Sequence, residues 1–217
     1  MLKKMIQVSL AVVAMINTTH VQAAIIDFED VIVSGGALAI NPVQSNGFLF
    51  NASAQTSGVM RDPFVCSPDC ADNGTQTYYA GGGTSTVTIM TEALGQIFSL
   101  TSFDIAEMFS GSPAIGATEI NVLGNLSGGG TVSALFSLDG INDSVGGAAD
   151  FETFLLPSSF TGLTSVHFTA TINDFTTNSG YMLDNISASA VPIPAALPLL
   201  LSGLAGLGLI GRRRKTA

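Results

Sequence analysis

Phe98-Ser99-Leu100-Thr101-Ser102-Phe103-Asp104-Ile105-Ala106-Glu107-Met108 is the stretch that decides the fold. Phe98 and Leu100 alternate with Ser99 and Thr101, and Phe103 and Ile105 then alternate with Asp104 and Ala106. A period of two residues puts one set of side chains on one face of a strand and the other set opposite. The segments around it follow the same rule. Thr84–Met90 sets Val87 and Ile89 against Thr86, Thr88 and Met90, and Thr118–Leu123 sets Ile120 and Val122 against Glu119 and Asn121. Further strands are predicted over Ile25–Val33, Phe48–Phe50, Thr131–Leu138, Phe151–Leu156, Leu163–Ile172 and Tyr181–Ala190. Gly, Asn, Ser and Asp separate them, and 24 glycines supply tight turns. No stretch before residue 191 carries a 3.6-residue apolar stripe. The expected fold is therefore all-β, an antiparallel sandwich of about nine or ten strands.

Both ends of the chain differ from this body. Lys3 and Lys4 precede the apolar run Met5–Ile16, and Val21-Gln22-Ala23 places small residues where a signal peptidase reads them. Residues 1–23 are expected to be a signal peptide, in which His20 is discarded. At the other end, Val191-Pro192-Ile193-Pro194-Ala195 is stiffened by its prolines. Ala195–Gly211 is uncharged, and Arg212-Arg213-Arg214-Lys215 follows it. As a helix this run is about 25 Å long, slightly under the roughly 30 Å hydrocarbon core. A basic cluster after an apolar run keeps that end in the cytoplasm.

The order of motif, apolar helix and basic cluster resembles the PEP-CTERM class of C-terminal sorting signals of Gram-negative bacteria, in its VPLPA-type variant. Val191, Pro192, Pro194 and Ala195 match the motif, and Ile193 stands where Leu is usual. The resemblance implies recognition by an exosortase and removal of the tail after an inner-membrane-anchored intermediate. The destination is then the cell surface or extracellular matrix. A plain single-pass anchor would explain the helix and the arginines but not the VPIPA preface. Cys70–Thr75, Phe98–Ala106 and Tyr181–Ile186 also resemble segments of PEP-CTERM passenger domains, which look like jelly-roll sandwiches. The chain thus divides into 1–23, a β-sandwich domain over 24–190, and the sorting signal over 191–217.

Charge narrows the function. Of the 7 basic residues, only Arg61 lies in 24–190, whereas all 16 acidic residues do, so that segment carries a formal −15. Nucleic acid is excluded as a partner, because binding it needs Lys and Arg to displace counterions. Such a surface attracts cations. Cys66 and Cys70, in Cys-Ser-Pro-Asp-Cys, are expected to close a small disulfide loop in an exported chain.

Catalytic sets are thin. His167 is the one histidine outside the signal peptide; it alternates with Val166 and Phe168 and is expected to face solvent. Glu29, Glu92, Glu107, Glu119 and Glu152 could formally supply a glycosidase pair, but sequence places no two across a cleft. A sugar platform would have to use Tyr78, Tyr79 or Tyr181, as the chain has no Trp. The expected role is non-enzymatic: a structural or adhesive component of envelope or biofilm, with a module binding exopolysaccharide as the alternative and a hydrolase a distant third. One cofactor is expected, a structural Ca2+ held where first and last strands meet, by Asp27, Glu29, Asp184 and Asn185. Jelly-roll binding modules, which the body resembles, often hold such an ion. Asp69 and Asp72 form a second acidic cluster.

Overall fold

The structure is a computed structural model that describes residues 23–66, 70–82, 86–108, 116–141, 151–171 and 179–190. The expected signal peptide and the sorting motif, apolar run and basic cluster lie outside the described residues. The strands belong to one compact unit, Gln22–Val191. They are β1 (Ala24–Ile26), β2 (Ala37–Ala39), β3 (Val43–Ser45), β4 (Phe48–Ser53), β5 (Thr56–Met60), β6 (Thr77–Gly81), β7 (Thr86–Glu92), β8 (Phe98–Glu107), β9 (Glu119–Leu126), β10 (Thr131–Ser137), β11 (Glu152–Leu155), β12 (Leu163–Thr171) and β13 (Tyr181–Ala190). One turn of 3-10 helix, Pro63–Cys66, interrupts them.

All pairings between these strands are antiparallel. They form one curled sheet with two halves. The first runs β2-β5-β6-β13-β8-β11, with β1 beside β6 on the same edge of β13. The second runs β10-β9-β12-β7-β4-β3. The single pair Leu163–Phe98 between β12 and β8 joins them. The halves face each other across one core. Phe103 of β8 meets Phe168 of β12 edge-on at 5.3 Å between ring centroids, and Phe98 meets Phe48 of β4 at 5.3 Å. Tyr181 of β13 donates its hydroxyl to Thr88 Oγ1 of β7 at 2.6 Å, so a buried polar group is satisfied across the core.

The expected Ile25–Val33 strand is cut to three residues. Phe28 adopts φ +58°, and its buried ring packs on Phe50 and Tyr78. The sequence reading also passes over β5 and β6, whose residues from Ser57 to Met60 and Thr77 to Gly81 are buried throughout. Their second face is covered. Met60, Tyr79, Ala106, Met108 and Met182 form a small apolar cluster with Cys70 and Ala71 outside the first half. Cys66 and Cys70 are disulfide-bonded, with Cα atoms 5.7 Å apart, Cys70 within that cluster and Cys66 packed against it. Strands buried on both faces lose their alternation.

Candidate functional site

The outer faces of the two halves differ. On the first half, Cys66, Cys70 and the residues after Cys70 cover the sheet. Asn73 Nδ2 and Thr75 Oγ1 donate to Asp184 Oδ2 at 2.7 and 2.9 Å, and the Asn185 N–H donates to Oδ1 at 2.8 Å. The Gln76 N–H donates to Glu29 Oε1 at 2.7 Å. Asp184 is 0% exposed, and burial pushes its carboxyl up to about 6 in spite of these bonds.

The second half keeps its outer face open among the described residues. The ladder registers assemble that face in rows. Ser133, Leu123, His167, Ile89 and Asn51 lie side by side across β10, β9, β12, β7 and β4. Leu135, Asn121, Thr169, Val87 and Ser53 form the next row. Thr131, Asn125 and Ser165 lie beyond the first. Five strands at about 4.8 Å spacing make this platform roughly 20 Å across. Its one charged side chain among the described residues is Glu119, at the rim beside Ser137 and Thr171. In a segment of formal charge −15, an extended face of amides, hydroxyls and aliphatic side chains is unusual. Asn125 Nδ2 donates to Ser165 Oγ at 2.8 Å and lies 3.2 Å from His167 Nε2, which fixes three polar groups beside the aliphatic centre formed by Leu123 and Ile89.

A second feature sits at the end of the core. Glu107 continues the inward face of Phe103 and Ile105 on β8, Glu152 shares the inward face of Phe154 on β11, and Asp139 follows β10. Their carboxylate oxygens lie within 4.8 Å of one another. The Gly140 N–H donates to Glu107 Oε1 at 2.6 Å, and the Asp139 N–H to Glu152 Oε2 at 3.2 Å. Glu107 is only 4% exposed, and burial pushes its carboxyl up to about 7, with Glu152 and Asp139 adding repulsion. Burial also raises Glu152.

The other residues singled out in the sequence fall as follows. β1 does pair with β13, through Ala24–Ala188 to Ile26–Ile186, so first and last strands are neighbours. The acidic side chains expected to hold calcium nonetheless turn to protein donors. Asp27 Oδ1 accepts from the Glu29 N–H and from Asn46 Nδ2, Glu29 takes Gln76, and Asp184 takes Asn73 and Thr75. Asn185 Nδ2 donates to Asp104 Oδ2. Among the described residues, Asp27, Glu29 and Asp184 do not form a group of three with oxygens within 4.8 Å of one another. Asp72 accepts the Gly74 N–H, and Asp69 lies outside the described residues. The three tyrosines are buried, Tyr78 and Tyr181 fully and Tyr79 to 7% exposure, which removes them as a sugar platform. His167 does lie on the outer face, between buried Val166 and Phe168. Of the five glutamates, Glu92 caps the Leu94 and Gln96 N–H groups, and only Glu107 and Glu152 come together. The open face itself was not found from the sequence. Its signal was there, as the absence of charge at alternate positions of four strands.

No protein-family model matches the chain, and no curated protein matches it in sequence. Solved structures share its shape. A DUF4465 family protein from Bacteroides caccae superposes with a TM-score of 0.51 at 13% identity, covering 78% of this chain and 100% of that one. This likeness shows a shared fold. A family 29 carbohydrate-binding module superposes at 0.43 with 10% identity over 78% of this chain and 92% of that one. The family 11 module of a Clostridium thermocellum cellulase reaches 0.37 at 12% identity, over 80% and 97%. The two modules are too distant in shape to bear on function.

Proposed function

We propose that this domain is a non-catalytic module that binds a neutral polysaccharide through the outer face of the second half-sheet. The observation that carries the reading is that platform, free of charge but for Glu119 in a strongly acidic domain. Sugar hydroxyls both donate and accept hydrogen bonds, as do Asn51, Asn121, Asn125, Ser133, Ser165 and Thr169. Leu123, Ile89 and Val87 offer apolar contact to the C–H face of a pyranose. A polyanionic glycan would be repelled by the rest of the domain. Glu107 and Glu152 do not favour a hydrolase. Glu107 is buried and its Oε1 accepts the Gly140 N–H, so it is held inside the fold and not presented on the open face.

The setting of the module is part of the same proposal. The jelly-roll-like domain is exported, processed by an exosortase near Val191–Ala195 and placed in envelope or matrix. There, binding a neutral exopolysaccharide makes it adhesive. Affinity electrophoresis in gels cast with neutral or uronate-bearing polysaccharides tests the binding. Retention is expected in at least one neutral gel. Asn125→Ala and His167→Ala should each weaken it about tenfold, the order expected when a desolvated hydrogen-bonding contact is lost. No retention in any neutral gel, or retention unchanged in the double variant, would overturn the reading. Intact-mass measurement of surface material tests the processing, and a mature species still carrying Arg212–Lys215 would refute it.

A further inference from the structure

A sheet edge presents unpaired N–H and C=O groups, and proteins protect such edges by shortness, charge, proline or bulges. Four of the edges here follow that rule. β1, β2 and β3 have three residues each. β11 has four, begins with Glu152, and is followed by Leu156-Pro157. β10 is different. It has seven residues, Thr-Val-Ser-Ala-Leu-Phe-Ser, without charge or proline, and its register with β9 is unbroken from Thr131 to Ser137.

Flanking hydrogen bonds fix which groups point outward. The Leu126 N–H donates to Gly130 O and the Leu138 N–H to Thr118 O, so even-numbered residues of β10 exchange bonds with β9. The main-chain groups of Thr131, Ser133, Leu135 and Ser137 then point away from β9, and no described strand pairs with them. Leu135 is 60% exposed. The inward side chains Val132, Ala134 and Phe136 are only half-buried, and Phe136 closes the flank by packing on Phe154 at 4.8 Å.

We propose that β10 is a self-association edge, at which a second copy of this chain pairs antiparallel about a two-fold axis at Ala134. In that register Ser133 of one copy lies opposite Leu135 of the other, and Thr131 opposite Ser137. These are the residues whose main-chain groups point outward, so each pair exchanges both of its hydrogen bonds. Val132 lies opposite Phe136, and the new strand covers both. Charge selects the occupant. Two copies of a domain of formal charge −15 repel each other over most of their surface, and this edge offers a long contact without a carboxylate. A foreign strand gains the same main-chain bonds but need not satisfy this register, in which every one of the seven residues lies opposite an uncharged residue. The paired edges also make the two open outer faces one continuous platform.

A strand pair with its flanking side chains is small beside the 1,000 Å² or so of a stable interface. Association should therefore be concentration-dependent and strongest where chains are held close together. Sedimentation equilibrium of the full-length chain in density-matched detergent, without glycan, tests this separately from polysaccharide binding. The weight-average mass should climb from one chain toward two between micromolar and millimolar protein. Ser133→Pro removes an outward N–H without touching the β9 ladder, and Leu135→Lys adds a protecting charge. Each should weaken association at least tenfold while keeping the wild-type melting temperature within a few degrees. Leu155→Lys, on the β11 edge, should leave it unchanged. A monomer throughout the range overturns the proposal. So does association that survives both β10 variants, which would place the contact elsewhere, or association that Leu155→Lys alone abolishes.

Discussion

Glu107 shows how one carboxylate on an inward face sets a pH dependence. Its folded pKa, pushed up to about 7 by burial, lies above its unfolded value. The folded state therefore binds more protons between about pH 4.5 and 7, and stability falls as pH rises through that window. The effect is worth about 3 kcal/mol at pH 8. Glu107→Gln mimics the protonated form, so it should melt above wild type at pH 8, with the gap closing by pH 5. An equal gap at both values would show that ionisation of Glu107 costs the fold nothing. Asp184 matters as an acceptor. Asp184→Ala removes the acceptor of Asn73 Nδ2 and Thr75 Oγ1, and urea denaturation should show a loss of about 2 kcal/mol. A loss under 1 kcal/mol would mean those donors find other acceptors. That Asp184 and Glu29 accept from amides is not legible in the sequence, because a carboxylate is the same letter whether a cation or an amide faces it. The amides are supplied by residues 73–76, remote in sequence from both.

At the scale of elements, the legible strands were those with one open or half-open face. β7, β8, β9, β10 and β12 alternate because one side meets the core and the other meets solvent. β5 and β6 were missed because Cys66, Cys70 and Ala71 cover their outer side, and β1 was overextended because Phe28 turns the chain with a side chain that still belongs to the core. The open face was legible only once the registers set β10, β9, β12, β7 and β4 side by side. The loop also makes its own prediction. Closing a ring this short is worth about 2 kcal/mol at most, so reduction should act locally. Arg61, exposed at the mouth of the loop, is the one tryptic site of 24–190. Reduction should speed cleavage after Arg61 several-fold while the melting temperature moves only slightly. Unchanged cleavage would show that the apolar cluster holds the loop without the bond.

For the whole molecule, charge is the dominant long-range term. Within 24–190, sixteen acidic residues against one arginine oppose compaction at neutral pH. Raising salt from about 20 to 500 mM should raise the melting temperature at pH 8 and do much less at pH 4, where fewer carboxylates are ionised. A salt effect equal at the two values would point to the cation itself rather than to screening.

The position of β13 has a consequence in time. This last strand of the domain is flanked by β8 on one edge and by β6 and β1 on the other, so the middle of its half-sheet is the last part to be synthesised. Chains commonly fold from the N-terminus as they emerge, and pairing between remote segments waits for both partners. Here β1 has no ladder partner but a strand roughly 160 residues later, and the hydrogen bond from Tyr181 to Thr88 across the core forms only once β13 is in place. The half-sheet cannot be completed until Ala190 has emerged, so in an exported chain the passage of the last strand across the membrane, not collapse, sets the clock for closure. A chain ending at Gly180 should lack the sheet signature in circular dichroism and be digested as an unfolded polypeptide, whereas one ending at Val191 should resist.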